Sequence, residues 1–415
     1  MMNKNLISLK EINKKNILKI FIEKESISRI DISKLLKISR PTTSAYINEL
    51  IADGLIEEAG KGISTATGGK KATLLKFNSK AGYILAISIG VTSLRFAITD
   101  LRANIIESLM TPTEEWLGPE IIIGKIIKNI EKLITKTKIK KDNISGIGIK
   151  GPGLIDSEKG IVIFFPNLTD WNNINLKQII EEKIGIPVYI DNECRILSIA
   201  EKKFGIAKNI RNFVVVLTGI GIGTGVFIDN KLFIGNKGMA GEVGHIITDL
   251  RSKKLCHCGN FGCLETLCSS RALVENIKKD LERGEKSILK SNEQFDFDDL
   301  IKPFKENDPL VLRNVAENAR LLGIGISNIM KMFNPELVVI HGKFVDFGDK
   351  YLDILKEAVS RSTFPKVMDN YNIQFTRLSE NAGIIGAAVF AFDKIFKVNN
   401  FNIGEEYMVK KDFQE

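Results

Sequence analysis

Between Gly241 and Cys268 the chain reads GEVGHIITDLRSKKLCHCGNFGCLETLC, and this stretch holds two of the three histidines and four of the five cysteines found in 415 residues. The spacing His245-x10-Cys256-x-Cys258-x4-Cys263 offers three thiolates and one imidazole, a complete tetrahedral shell for Zn²⁺ with no position left for water. A closed shell of that kind is structural rather than hydrolytic. The competing reading is a disulfide or free buried thiols, but Cys256 and Cys258 are too close in sequence to bridge well, and few cysteines gathered in one place suit a reducing cytoplasm. His257 and Cys268 are left over once four ligands are assigned.

Two carboxylates bracket the cluster: Glu242 lies three residues before His245, and Glu265 two after Cys263. Acids held beside a metal form a polar pocket, and carboxylates accept paired hydrogen bonds from sugar hydroxyls. The run G-E-V-G-H followed by C-x-C-G-x-x-G-C-L-E resembles the signature of the ROK family, which contains sugar kinases and sugar-responsive repressors.

These residues need a frame to position them. The length suggests about three domains at ~150 residues each. An apolar content of 44% and a charged content of 26% are those of a globular protein, not of a disordered or fibrous one. The chain opens Met1-Met2-Asn3-Lys4 with no signal-peptide pattern, and the uncharged run Phe213 to Ile228 is short and glycine-rich for a membrane span. A cytoplasmic protein without a membrane segment is expected.

The net charge of +9 is concentrated at one end. Residues 1 to 80 hold 15 Lys and Arg against 8 Asp and Glu, an excess of 7. That localisation suits a partner such as double-stranded DNA. Residues 9 to 23 place Leu9, Ile12, Ile17, Ile20 and Phe21 at helical spacing. Ser28-x-x-Asp31 opens a second helix through Leu36. Ser39 caps a third, with Pro41 in its first turn and Gly54 beyond its end. The apolar face of this third helix is expected to be Ala45, Ile47, Leu50 and Ile51. Ser39, Arg40, Thr42, Thr43, Ser44 and Tyr46 are then left to face DNA. A hairpin follows, with strands near Leu55–Glu58 and Lys70–Phe77; Lys70 and Lys71 at its tip are candidates for phosphate contact. The order is that of a winged helix-turn-helix, and the module resembles the N-terminus of ROK repressors.

The body resembles the two-lobed actin/hexokinase-like α/β fold of the family. The implied first lobe spans 81–193, completed by a C-terminal helix at 381–398. The implied second lobe spans 194–380 and carries the zinc site. The resemblance places a sugar effector in the cleft between the lobes, against Asn167, Asn192, Glu193, Glu242, His245 and Glu265. It also implies a homodimer or tetramer on a palindromic operator.

Departures from the family's kinases decide the expected activity. Their phosphate motif D-x-G-G-T-K is replaced by Ser88-Ile89-Gly90-Val91-Thr92-Ser93, which lacks the acid and the second glycine. Their Asn-Asp, with the Asp as base, is replaced by Asn192-Glu193, the pair of the xylose-repressor branch. An added methylene displaces a carboxylate by about an ångström, enough to disable a base. His341 stands where family kinases carry glycine to pass the nucleotide, and Arg195 stands where they often carry Asn, with no role legible in the sequence. The expectation is a non-enzymatic repressor released from DNA by a xylose- or glucose-like sugar. The rivals are an ATP-dependent sugar kinase with an added DNA-binding domain, and a regulator whose effector is a protein.

Overall fold

The structure is a computed structural model that describes residues 9–62, 71–364 and 372–396. Contacts divide it into two compact units. One comprises the described residues of Met1–Lys150, Asn175–Ile190 and Ala387–Glu415; the other comprises Gly151–Ile174 and Asp191–Gly386.

The first unit begins with helices Leu9–Glu23, Arg29–Leu36 and Arg40–Ala52 and a three-stranded sheet in which Thr73–Phe77 lies between Ile27–Ser28 and Ile56–Lys61. The caps are those expected: Ser28 accepts the Asp31 N–H, Ser39 accepts the Thr42 N–H, and Lys37 ends the second helix in the left-handed region. The burial phase differs from the sequence reading. In the first helix the core residues are Ile17, Leu18, Ile20, Phe21 and Ile22, whereas Leu9 and Ile12 are exposed. In the third, Thr43, Ile47 and Leu50 are buried and Ala45 is exposed. The buried i, i+4, i+7 stripe of this helix therefore starts at Thr43 and runs through Ile47 and Leu50.

This module is joined to the rest of its unit by Arg102, which donates to the Phe21 carbonyl at 3.3 Å and lies over the Phe77 ring. Phe77 also meets Phe392 edge-on. Beyond it runs a five-stranded sheet ordered Val188–Asn192, Ile144–Gly151, Tyr83–Ile89, Ser93–Asp100 and Ile105–Pro112. Tyr83–Ile89 is antiparallel to Ser93–Asp100 and parallel to Ile144–Gly151.

The second unit repeats this plan. Phe213–Thr218 is antiparallel to Ile222–Ile228 and parallel to Leu337–Gly342, with Lys231–Phe233 and Ile373–Phe375 at the edges. In both sheets the first strand is central, its hairpin lies on one side and a parallel strand on the other. Helix Glu193–Phe204 packs on the second sheet so closely that a Cβ on Gly225 would lie 2.1 Å from Ser198 Oγ. Glycine at 223 and 225 thus serves helix–strand packing, and both residues belong to strand Ile222–Ile228 rather than to a loop. Apolar residues of Pro309–Phe333 and Asp349–Ser362 complete the core of this unit.

Residues 151–174 group with the second unit, not with the 81–193 stretch in which the sequence division placed them. They form a small sheet of Leu154–Asp156, Ile161–Phe164 and Asn172–Ile174. Asn192 donates to the Gly153 carbonyl at 2.7 Å and Arg195 to the Ile155 carbonyl at 3.3 Å, which ties that sheet to helix Glu193–Phe204.

Candidate functional site

The cysteine-rich stretch folds back on itself through two isolated bridges, Ile247 with Cys263 and Leu255 with Phe261. The turn before Cys263 requires Gly262, whose φ is +72° and whose Cβ would lie 2.0 Å from the Asp249 carbonyl oxygen. The result brings His245, Cys256, Cys258 and Cys263 together with all ligand atoms within 4.8 Å of one another. Cys256 Sγ lies 3.4 Å from His245 Nδ1, and Cys258 Sγ lies 3.6 Å from Cys263 Sγ. Sulfurs about 2.3 Å from a tetrahedral zinc would be about 3.8 Å apart, so the donors fit that ion. Burial pushes the Cys256 thiol up to about 12, so ionising it near neutral pH takes a cation at the sulfur. Cys268 is outside the cluster, buried and donating to the Leu264 carbonyl.

His245 divides its ring. Nδ1 faces Cys256, and Nε2 faces Glu242 Oε2 at 4.0 Å. Burial raises the Glu242 carboxyl above its ordinary range; His245 and Arg195 partly offset this. Among the described residues no donor lies within hydrogen-bond distance of the Glu242 carboxylate. Glu265 differs: its Oε2 accepts the Ile222 N–H at 3.0 Å. A cavity of about 270 Å³ opens beside it, with Lys254, His257, Thr266, Arg271 and Glu275 in its wall.

The other expected sugar contacts lie in this same unit. Glu193 is the first residue of its helix and half-buried. Asn192 is the N-cap of that helix: its Oδ1 accepts the Cys194 and Arg195 N–H groups, and its Nδ2 donates to Gly153. Its side chain is largely committed to the backbone, which leaves one N–H at most for a ligand. Asn167 Oδ1 accepts from Arg271 at 3.0 Å, and Arg271 also donates to His257 Nε2 at 2.7 Å. His257, left over in the sequence, thus orients the arginine that holds Asn167. Arg271 was missed because only its position in a helix's first turn, 104 residues beyond Asn167, gives it that task.

His341 has a structural partner. It is buried in strand Leu337–Gly342 with Nε2 2.7 Å from Glu201 Oε1, and the same carboxylate accepts from Thr376 Oγ1 and the Ile206 N–H. Ser88 stands in register with Arg95 on one neighbouring strand and Lys150 on the other. Two cations therefore flank the position where kinases of this type carry an acid.

On the winged helix, Arg40 and Lys71 are exposed, and Ser39 is exposed and bonded to Thr42. Ser44 and Tyr46 are half-buried; the Ser44 carbonyl accepts from Arg29, which also donates to Asn48. Thr43 is a correction: it is fully buried, its hydroxyl has no partner among the described residues, and it cannot reach DNA. Lys70 lies outside the described residues. No helix among the described residues is long and apolar enough to cross a membrane.

A winged helix followed by two α/β sheets of one plan, with a Cys₃His cluster beside paired acids, defines the class of two-lobed, actin/hexokinase-like regulators and kinases. Residues 84–394 match the ROK family model, and residues 10–57 match one described as winged helix-turn-helix DNA-binding. The chain belongs to the ROK family. It is 35% identical to the xylose repressor of Caldicellulosiruptor bescii over 91% of this chain and 94% of that one. It is 33% identical to the xylose repressor of Bacillus subtilis over 93% and 96%. The glucokinase of Thermotoga maritima is 27% identical over 75% of this chain and 98% of that one. Among solved structures, a ROK family transcriptional regulator homologous to the Escherichia coli Mlc protein superposes with a TM-score of 0.82, at 27% identity, over 95% of this chain and 99% of that one.

Proposed function

We propose that this chain is a sugar-responsive transcriptional repressor, bound to operator DNA through its winged helix and released when a sugar occupies the acids beside the Cys₃His cluster. The observation that carries the reading is Glu242, a half-buried carboxylate with no hydrogen-bond donor in reach among the described residues, next to the histidine of the Cys₃His cluster. A carboxylate that solvent reaches and that no described donor occupies is open to paired hydrogen bonds from sugar hydroxyls. Relatives named xylose repressors over nearly the whole chain support a pentose such as D-xylose as effector.

Zinc in the Cys₃His shell would fix the loop between Glu242 and Glu265 and would perform no chemistry. Ser88 between Arg95 and Lys150 speaks against Mg²⁺–nucleotide binding and so against the kinase reading, although glucokinases are among the relatives. The protein works in the cytoplasm, as a dimer or tetramer on a two-fold operator. The sugar draws its leverage from binding one conformation better than the other. The test is a gel-shift titration of operator-bound protein with D-xylose and D-glucose, run beside a coupled assay for sugar-dependent ADP formation. Release by one sugar without ADP formation supports the reading; release by neither sinks it.

A further inference from the structure

Arg195 interrupts a position that the family often fills with Asn, and it is the most buried arginine near the site, at 3% exposure. It occupies the third position of helix Glu193–Phe204, whose first residue is Glu193 and whose cap is Asn192. Its Nε donates to Asp191 Oδ1 at 2.7 Å, and a terminal nitrogen also pairs with that oxygen. Its other terminal nitrogen donates to the Gly238 carbonyl at 2.6 Å, and a further bond of 3.3 Å reaches the Ile155 carbonyl. Gly238 has a φ of +77°, and a Cβ there would press on the guanidinium at 3.3 Å. Asp191 is itself 1% exposed.

One guanidinium therefore joins three segments that are far apart in sequence. The first begins the helix bearing Asn192 and Glu193. The second is the turn at 236–238, four residues before Glu242. The third is strand Leu154–Asp156, just after the Gly153 carbonyl to which Asn192 donates. A guanidinium spreads its donors over a rigid planar fork and so fixes the angles between its acceptors, whereas an ammonium offers three rotatable donors at one point. A buried ion pair adds little net stability over an apolar pair of the same volume, so its value here is geometric.

We propose that Arg195 is a positioning residue for the effector site: it holds the turn that leads into Glu242 at a fixed distance from the helix start that carries Glu193. The inference rests on the sugar-responsive reading above and names the part of this chain that sets its sugar affinity. A site whose acids are held in place before the ligand arrives spends less binding energy on ordering them.

The test uses the full-length protein and two variants. Arg195→Lys keeps the charge but loses the fork. The double variant Asp191→Asn with Arg195→Met removes both charges, so that no buried ion is left alone. For each, three quantities are measured: operator affinity without sugar, zinc content, and the concentration of D-xylose (or of D-glucose, if that is what releases the parent) giving half-release. The expected result is unchanged operator affinity and zinc content, with half-release moved to about tenfold higher sugar in both variants, the range found when supporting residues behind a ligand are altered. Half-release at the parent's concentration in a folded variant overturns the proposal. A parallel loss of operator affinity and zinc also overturns it, because the role would then be general stability. If neither sugar releases the parent protein, it is the functional reading that fails, and this inference with it.

Discussion

The Nε2 atom of His245 lies 4.0 Å from Glu242 Oε2 while its Nδ1 atom faces the Cys256 sulfur. One imidazole therefore stands between the Cys256 sulfur and the Glu242 carboxylate. This allows the two functions to be separated by mutation. Glu242→Gln keeps the shape but replaces two acceptors with one acceptor and one donor. It should raise the sugar needed for half-release at least about tenfold, leaving zinc content and operator affinity unchanged. A gel-shift titration with metal analysis on the same preparation checks both.

The cluster itself should hold about one zinc per chain, and Cys258→Ser should reduce both zinc content and thermal stability. Cys258 is the exposed ligand, so the substitution disturbs little packing, and loss of stability would report the metal. Metal affinity in such sites is folding free energy, so a fall in Tm of several degrees is expected. Well-folded parent protein purified without zinc, by elemental analysis, would refute the assignment.

Thr43 and Arg40 belong to the same helix yet should respond in opposite ways. Thr43 is buried and its hydroxyl has no partner among the described residues, so Thr43→Val should leave operator affinity intact and raise stability by about 1 kcal/mol. Arg40 is exposed at the start of the helix, and Arg40→Ala should weaken operator binding and lower its salt dependence. Fluorescence anisotropy at two salt concentrations, with urea denaturation, separates the two effects.

Much of this was legible because the relevant residues are neighbours in sequence. The four residues of the Cys₃His group lie within nineteen positions, and caps such as Ser28 and Ser39 act on residues three away. What escaped was decided at long range. Thr43 looked like a surface hydroxyl because its helix has no strong apolar stripe to fix the phase. The bond of His341 to Glu201 was not visible because the two are 140 residues apart. Arg195 had no visible purpose because two of its acceptors, Ile155 and Gly238, are 40 and 43 residues distant.

Asp308 supplies a pH dependence unrelated to the site. It caps helix Pro309–Phe333; burial would raise its carboxyl, but the Val311 and Ile288 N–H groups and the Ser287 hydroxyl outweigh that and bring it below the usual range. A carboxyl held lower in the folded than in the unfolded chain contributes stability above its unfolded pKa, and that contribution disappears as pH falls through the folded value. Stability should therefore drop below about pH 4, and drop less in Asp308→Asn, which keeps a cap but cannot titrate. Urea midpoints between pH 7 and pH 3 measure the difference. Equal pH slopes for parent and variant would remove Asp308 from the account.

The last prediction concerns phosphoryl transfer. Ser88 occupies the position at which ROK kinases place an acid for Mg²⁺, and its register partners are Arg95 and Lys150. Restoring the acid by Ser88→Asp would put a carboxylate between two cations that compete with the metal for it. Val91 still sets a branched side chain in the turn where a phosphate needs bare backbone, and Glu193 still stands a methylene longer than a kinase's aspartate. Because these obstacles act on metal, phosphate and base separately, repairing one leaves the others in force. Neither the parent nor Ser88→Asp should form ADP in response to D-xylose or D-glucose. Turnover near the ~10 s⁻¹ typical of enzymes, in either protein, would replace the repressor reading with that of a kinase carrying a DNA-binding module.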